Sequence, residues 1–333
     1  MRADGILFAA TEEGYPLPVI DITHSRFHVA DDEPSIRALR EQFVAADERR
    51  RRVPKFLLRL MLRSMAKKSR LVRALFGSGS TFLDGLSTYA MKLGADNLVP
   101  PYDSPVDRRF ASSPHIPLLR LRMQQIAGML ADGLRDSLAA SPQAPLHLVN
   151  IGGGPALDSL NALILLARAN PEQMRRPIFI HVLDGDKAGP HFGAGALAAL
   201  KSQGGPLSGL DIEFDCRSYD WNQPQTLQTL LSTPPMAGAI LAASSEGALF
   251  EYGSDRAIID NLKALRDGGV TLVAGSVTGA GHARRQMIAG SGFRLYPRGA
   301  SGFAPLAEAS GFRVAQAAET LLSDQILLRP VPA

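Results

Sequence analysis

Residues 149–160, Val149-Asn150-Ile151-Gly152-Gly153-Gly154-Pro155-Ala156-Leu157-Asp158-Ser159-Leu160, place a buried strand, three glycines and the start of a helix within one short span. Glycine carries no Cβ, so the main chain can turn sharply there and a ligand can come up against it. The helix that follows aims unpaired N–H groups and a partial positive charge at the same place. At the carboxyl edge of a parallel sheet, this combination marks where nucleotide-like ligands bind. A Gly-x-Gly-x-x-Gly fingerprint would need glycine at 157, where Leu157 stands, and no Gly-Lys-Ser/Thr follows. A standard pyrophosphate site and a P-loop are therefore both disfavoured.

Working outward, the apolar run that feeds the turn begins at Leu146. Further short apolar runs fall at 178–183, 211–215, 237–243, 269–274 and 324–329. Helical patterns separate most of them, at 191–202, 223–232, 254–266, 280–290 and 304–311. Strands alternating with helices predict a parallel sheet covered on both faces. The second run ends in Asp184, where a carboxylate beside the glycine turn could accept both hydroxyls of a ribose; Asp186 is a competing acid two residues on. The third leads into Tyr219-Asp220-Trp221, an acid and an aromatic able to bond an exocyclic amine and cover a purine face.

These residues carry a resemblance. Residues 145–330 resemble a class I S-adenosylmethionine-dependent methyltransferase, with Asn150-Ile151-Gly152-Gly153-Gly154 as the first motif and Asp184 at the second strand end. Tyr219-Asp220-Trp221 follows the third strand, and Ala239 to Gly247 forms the fourth motif. Ser310-Gly311-Phe312-Arg313-Val314 and Ser323 to Leu328 resemble the family's terminal antiparallel hairpin. The resemblance implies an α/β Rossmann-like parallel sheet with a terminal antiparallel strand, helices on both faces, and S-adenosyl-L-methionine as cofactor. It also implies that Gly152, Gly153, Gly154 and Pro155 face the methionine portion, Asp184 and Gly185 the ribose, and Asp220 and Trp221 the adenine, with Ser244 and Ser245 nearby. Two departures stand out. Asn150 occupies a position where the family often has an acid, and Pro155 or Ala156 one where it often has glycine. The fourth strand ends in Ser244-Ser245-Glu246 and not in an Asn-Pro-Pro-Tyr type sequence, which disfavours methylation of amino groups on nucleic-acid bases.

Methyl transfer from a sulfonium is an in-line displacement that mainly needs alignment and exclusion of water. A base is required only if the acceptor must lose a proton. His282, Glu246 and His115 are the catalytic candidates, and Tyr89, Tyr102, Arg109, Glu251 and Tyr252 the acceptor-binding ones. The expected function is methylation of a small molecule, at oxygen. The alternatives are a non-catalytic or regulatory binder of the same cofactor, a nicotinamide-dependent oxidoreductase, and an RNA methyltransferase.

Residues 1–140 read as a loop followed by a mainly helical cap or substrate domain, with helices expected at 35–48, 54–76, 80–93 and 115–139. A strand-like run at 18–22 precedes them, and a proline-rich loop at 94–114 interrupts them. Ser141-Pro142-Gln143-Ala144-Pro145 then leads into the cofactor domain, 145–333. The chain has 333 residues and a net charge of +4. Eleven basic residues and no acidic one lie between Arg49 and Arg73; subtracting eleven from +4 leaves −7 for the rest. Phe56, Leu57, Leu60 and Met61 recur among these charges at helical spacing, giving a basic amphipathic helix able to contact a membrane surface. Nucleic acid is disfavoured as a partner because aromatics are not interleaved there; a homodimer remains open. One cysteine, Cys216, excludes an internal disulfide and cysteine-rich metal centres, and no metal site is expected. The lack of a disulfide framework and of any apolar run long enough to span a bilayer leads us to expect a cytoplasmic protein.

Overall fold

In the computed structural model, which describes residues 5–77, 84–233, 236–282, 284, 285, 288 and 293–332, buried side-chain amides hold much of the N-terminal segment. Phe8–Ala10 (β1) and Pro16–Pro18 (β2) pair antiparallel, but the strand expected over 18–22 does not continue past Pro18. Its backbone instead bonds to Asn161, which accepts from the Ile22 N–H at 2.9 Å and donates to the Ile20 carbonyl at 3.1 Å. Gln124 treats Val29 in the same way, at 3.0 and 2.8 Å. Buried backbone groups need partners, and here two amides supply them.

Among the described residues six helices follow: α1 (Glu33–Arg51), α2 (Lys55–Ala66), α3 (Arg70–Gly77), α4 (Gly85–Lys92), α5 (Pro105–Ala111) and α6 (His115–Ala140). The single helix expected over 54–76 is two. The Ser69 hydroxyl accepts from the Val72 N–H at 2.9 Å and donates to Asp107 at 2.5 Å, so Ser69 caps α3 and ends the preceding run. Helix α5 lies inside the segment expected to be loop. Ser104 accepts from the Asp107 N–H at 3.1 Å and Pro105 takes the first helical position, a start signal that the surrounding prolines obscured. Of the break expected at Gly77-Ser78-Gly79-Ser80, Gly77 ends α3 and the other three residues lie outside the described residues, as does most of the helix expected at 280–290.

Seven strands form the main sheet: β3 (Leu146–Ile151), β4 (Ile178–Asp184), β5 (Ile212–Ser218), β6 (Ile240–Ser245), β7 (Leu272–Thr278), β8 (Phe312–Glu319) and β9 (Ser323–Pro330). Their order is β5-β4-β3-β6-β7-β9-β8. The first five are parallel, and β9 is antiparallel to both of its neighbours. On one face Leu148, Ile180 and Ala242 pack with α6, α7 (Leu157–Ala169) and α8 (Ala188–Leu200). On the other, Val149, Ala243 and Val273 pack with α9 (Gln225–Leu231), α11 (Asp255–Asp267) and α12 (Gly299–Ala309); a short α10 (Leu249–Tyr252) precedes α11. Helix α6 precedes the Ser141–Pro145 linker yet packs on the sheet, so one core runs across it. Strand order reverses at β3, between β4 and β6, and the glycine turn lies at that switch point.

Away from this edge, His147 Nδ1 lies 2.9 Å from His181 Nε2, and His181 Nδ1 lies 3.3 Å from Asp215. Burial, and then the neighbouring His181, push the His147 imidazole down to about 4. A free imidazole titrates near 6.5, so the unfolded chain takes up this proton first as pH falls. The stability His147 contributes is present above about pH 6.5 and is lost as pH drops toward 4. Urea denaturation between these limits is expected to show a steeper loss in the native protein than in His147→Phe.

Candidate functional site

Strand β3 ends at Ile151 and is followed by Gly152, whose φ of 66° suits glycine. A Cβ there would lie 2.7 Å from the Ala248 Cβ and 3.1 Å from the Trp221 ring. Gly154, at φ 55°, lies against the start of α4; a Cβ on it would come 2.9 Å from the Gly85 Cα. The turn is thus closed on one side by α4 and borders a cleft on the other. Ala156 then takes the left-handed conformation, φ 54°, and caps α7, although alanine adopts it less readily than the glycine the resemblance would place near there.

The cleft, about 530 Å³, lies among α4, the carboxyl ends of β3 and β4, and the segments after β5 and β6. It gathers Gly152, Gly153, Gly154, Pro155, Asp184, Gly185, Asp220 and Trp221 from the expected cofactor set. Tyr89, Glu246 and Tyr252 join them from the other two sets. The Asp184 carboxylate turns toward the glycines: the Gly154 N–H donates to one oxygen and the Asp186 N–H to the other, each at 2.8 Å. Burial pushes this carboxyl up, and the two N–H groups hold it back. Asp186 has a different task, accepting from Gly85 at 3.3 Å and Gly189 at 3.2 Å and so tying α4 to α8. Asp220 accepts from the Asn222 backbone and side chain, at 2.9 and 2.8 Å.

Glu246 does not fit the role of base. One of its oxygens bonds the Lys92 ammonium and the other the Arg122 guanidinium at 2.5 Å; Arg122 continues to Glu251 at 3.0 Å, and Glu251 accepts from Ser276 at 2.6 Å. Lys92, Arg122, Glu246 and Glu251 are all buried. Burial pushes Glu246 up, but Arg122 and Lys92 outweigh it and hold the carboxyl below its usual range. Burial pushes the Arg122 guanidinium down, but Glu246 and Glu251 outweigh it and hold it above its usual range. Asp158 lies close by, pushed up to about 6 by burial and by Glu246, and accepts from the Asn150 amide at 2.7 Å. An acid at 150 would set a second carboxylate against Asp158, so the amide in place of the family's acid has a local cause.

The other expected residues lie outside the cleft lining. Ser244 accepts from Asn150 at 3.0 Å, and Ser245 bridges the Ile151 carbonyl and the Leu249 N–H, each at 3.0 Å, so both serve the sheet edge. Tyr102 packs beneath Arg70, and Arg109 is exposed on α5. His115 stacks edge-on against Phe110, and burial followed by Arg50 and Arg284 pushes it down to about 4, leaving it a weak base. His282 is exposed. Tyr89 lines the cleft, but its hydroxyl donates to the Pro18 carbonyl and accepts from the Ile20 N–H, so that group is engaged in folding.

Sequence reasoning missed Lys92, Thr88 and Asp84, which recur every fourth residue and line the cleft from α4. That spacing was readable; their cleft-facing direction required knowing where α4 docks. Arg122 had no local signal at all. Replacing it, as in Arg122→Met, strands Glu246 and Glu251 without their shared cation and is expected to cost about 3–5 kcal/mol in urea denaturation. Gly152→Ala must seat a Cβ at a positive φ against Ala248 and Trp221, and is expected to distort the turn and weaken ligand binding in the cleft about tenfold or more, read by calorimetry.

No protein-family model matches the chain, and no curated protein matches it significantly. Among solved structures, a possible exported protein from Bordetella parapertussis is similar over 91% of this chain and 100% of its own, at 16% identity and a TM-score of 0.54. The pyocyanin biosynthetic protein PhzM is similar over 90% of this chain and 74% of its own, at 14% identity and a TM-score of 0.42. NcsB1, an O-methyltransferase from neocarzinostatin biosynthesis solved with S-adenosylmethionine and 2-hydroxy-5-methyl naphthoic acid, is similar over 62% of this chain, at 17% identity and a TM-score of 0.37. The chain spans 56% of the length of NcsB1. Likeness at such identities concerns the fold. With five parallel strands reversing order at β3, a glycine turn at the switch point and β9 inserted antiparallel between β7 and β8, the chain has the fold of the class I S-adenosylmethionine-dependent methyltransferases.

Proposed function

We propose that the chain is an S-adenosylmethionine-dependent methyltransferase acting on a small molecule, at oxygen. The observation that carries this reading is the Asp184 carboxylate held against the glycine turn at the mouth of a cleft large enough for a nucleoside. The residues present fit the cofactor: the side-chain-free main chain of Gly152 to Gly154 lines the cleft, and Asp184 keeps lone pairs beyond its two backbone donors. Gly152 to Gly154 would take the methionine portion, Asp184 the ribose hydroxyls, and Asp220 with Trp221 the adenine. When bound, the cofactor supplies an electrophilic methyl group on a sulfonium.

The protein's own part is alignment and exclusion of water. Every carboxylate among the described lining residues is already engaged: Asp84 caps α4, Asp184 and Asp186 accept from backbone, Asp220 accepts from Asn222, and Glu246 is doubly ion-paired. An acceptor whose oxygen arrives ionised, such as a phenol made acidic by its substituents, suits this cleft. The same observation favours a second reading, a protein that binds the cofactor without turnover.

Calorimetry with S-adenosylhomocysteine and with NAD tests the binding. Tight binding of the former alone is expected, weakened at least about tenfold in Asp184→Ala, since a hydrogen bond to a charged group contributes roughly 1.5–3 kcal/mol. Preference for NAD, or full affinity in the variant, would overturn the reading. Transfer of labelled methyl to acidic phenols separates an enzyme from a binder.

A further inference from the structure

The basic helix α2 has no part in the cleft. None of the lining residues comes from α1, α2 or α3. Four of its apolar residues are not covered by the protein either: Phe56 is 70% exposed, Leu60 64%, Met61 53% and Leu57 40%. These four positions repeat as i, i+1, i+4 and i+5, one side of a helix. Arg52, Arg63, Lys67 and Lys68, before and along the same helix and its exit, are exposed too. No acidic residue occurs from 49 to 73.

We propose that α2 docks on an anionic membrane surface, with Phe56, Leu57, Leu60 and Met61 entering the interfacial layer and the surrounding lysines and arginines meeting lipid headgroups. Charge complementarity selects this occupant. A second copy of the chain would bring two acid-free basic segments face to face. RNA would answer the charges but leave three aliphatic side chains in water and offer a single aromatic for stacking. A partner protein would find four side chains on a convex helix, short of the ~800 Å² each side gives to a specific interface. An anionic bilayer presents negative charge and an apolar layer at once. Among the described residues no helix is long and apolar enough to cross a membrane, so the contact is peripheral.

Flotation of the full chain with vesicles tests this, using phosphatidylcholine alone and phosphatidylcholine containing roughly one quarter phosphatidylglycerol. Binding to the anionic vesicles is expected, at least about tenfold tighter than to neutral ones and weakened by salt. Two variants, Phe56→Ser with Leu60→Ser and Arg63→Glu with Lys67→Glu and Lys68→Glu, are each expected to lose at least about tenfold in affinity. Unchanged thermal unfolding shows that these exposed substitutions leave the fold intact. The proposal is overturned if anionic vesicles are not preferred or if the Phe56/Leu60 variant binds as the native chain does. It is equally overturned if the variants abolish RNA binding or self-association while vesicles are ignored.

Discussion

Three backbone segments meet so closely at Gly85, Gly154 and Gly189 that side chains cannot stand between them. A Cβ on Gly189 would lie 2.9 Å from the Gly154 Cα and 3.4 Å from that of Gly85. This contact seats α4 on the glycine turn and the start of α8 beside it, and Asp186 locks the arrangement by accepting from Gly85 and Gly189. The cleft exists because α4 stands there. One wall is the N-terminal part of the chain and the other is the carboxyl edge of the sheet. Ala248 and Trp221 pack where a Gly152 side chain would stand, and the turn from Gly152 to Pro155 lines the cleft beside them.

Seven residues beyond Gly85 the same helix delivers Lys92 to Glu246, and α6 delivers Arg122 to both Glu246 and Glu251. Two cations and two carboxylates balance, which is the condition for burying charge without a large penalty. Such a network adds little net stability over an apolar core of equal volume, but it tolerates few alternative seats for α4 and α6. It defines where the N-terminal helices rest on the sheet. It also removes Glu246 from acid–base chemistry, which turns attention from proton abstraction to the positioning of an acceptor that needs little help.

What could be read from the chain was local. The run from Leu146 to Leu160 announced strand, turn and helix, and Asp184 and Trp221 lay at the ends of later runs, so the sheet and much of one cleft wall were legible. Pairings across long separations were not. Ser69 caps a helix through Asp107, and Lys92 meets Glu246 from the far side of the linker; periodicity carries no information about either. Ser104-Pro105-Val106-Asp107 was a readable helix start hidden among breakers. His282 follows the glycine-rich end of β7 and His115 opens α6, positions the chain makes legible, but neither lines the cleft: His115 is packed against Phe110 and His282 is exposed.

A crystal structure of the chain with S-adenosylhomocysteine bears most directly on the claim that this turn holds an adenosyl compound. Density is expected in the cleft along Gly152–Gly154, with the ribose hydroxyls on Asp184. Density elsewhere, or Trp221 and Ala248 closed over Gly152 with the ligand excluded, would contradict it.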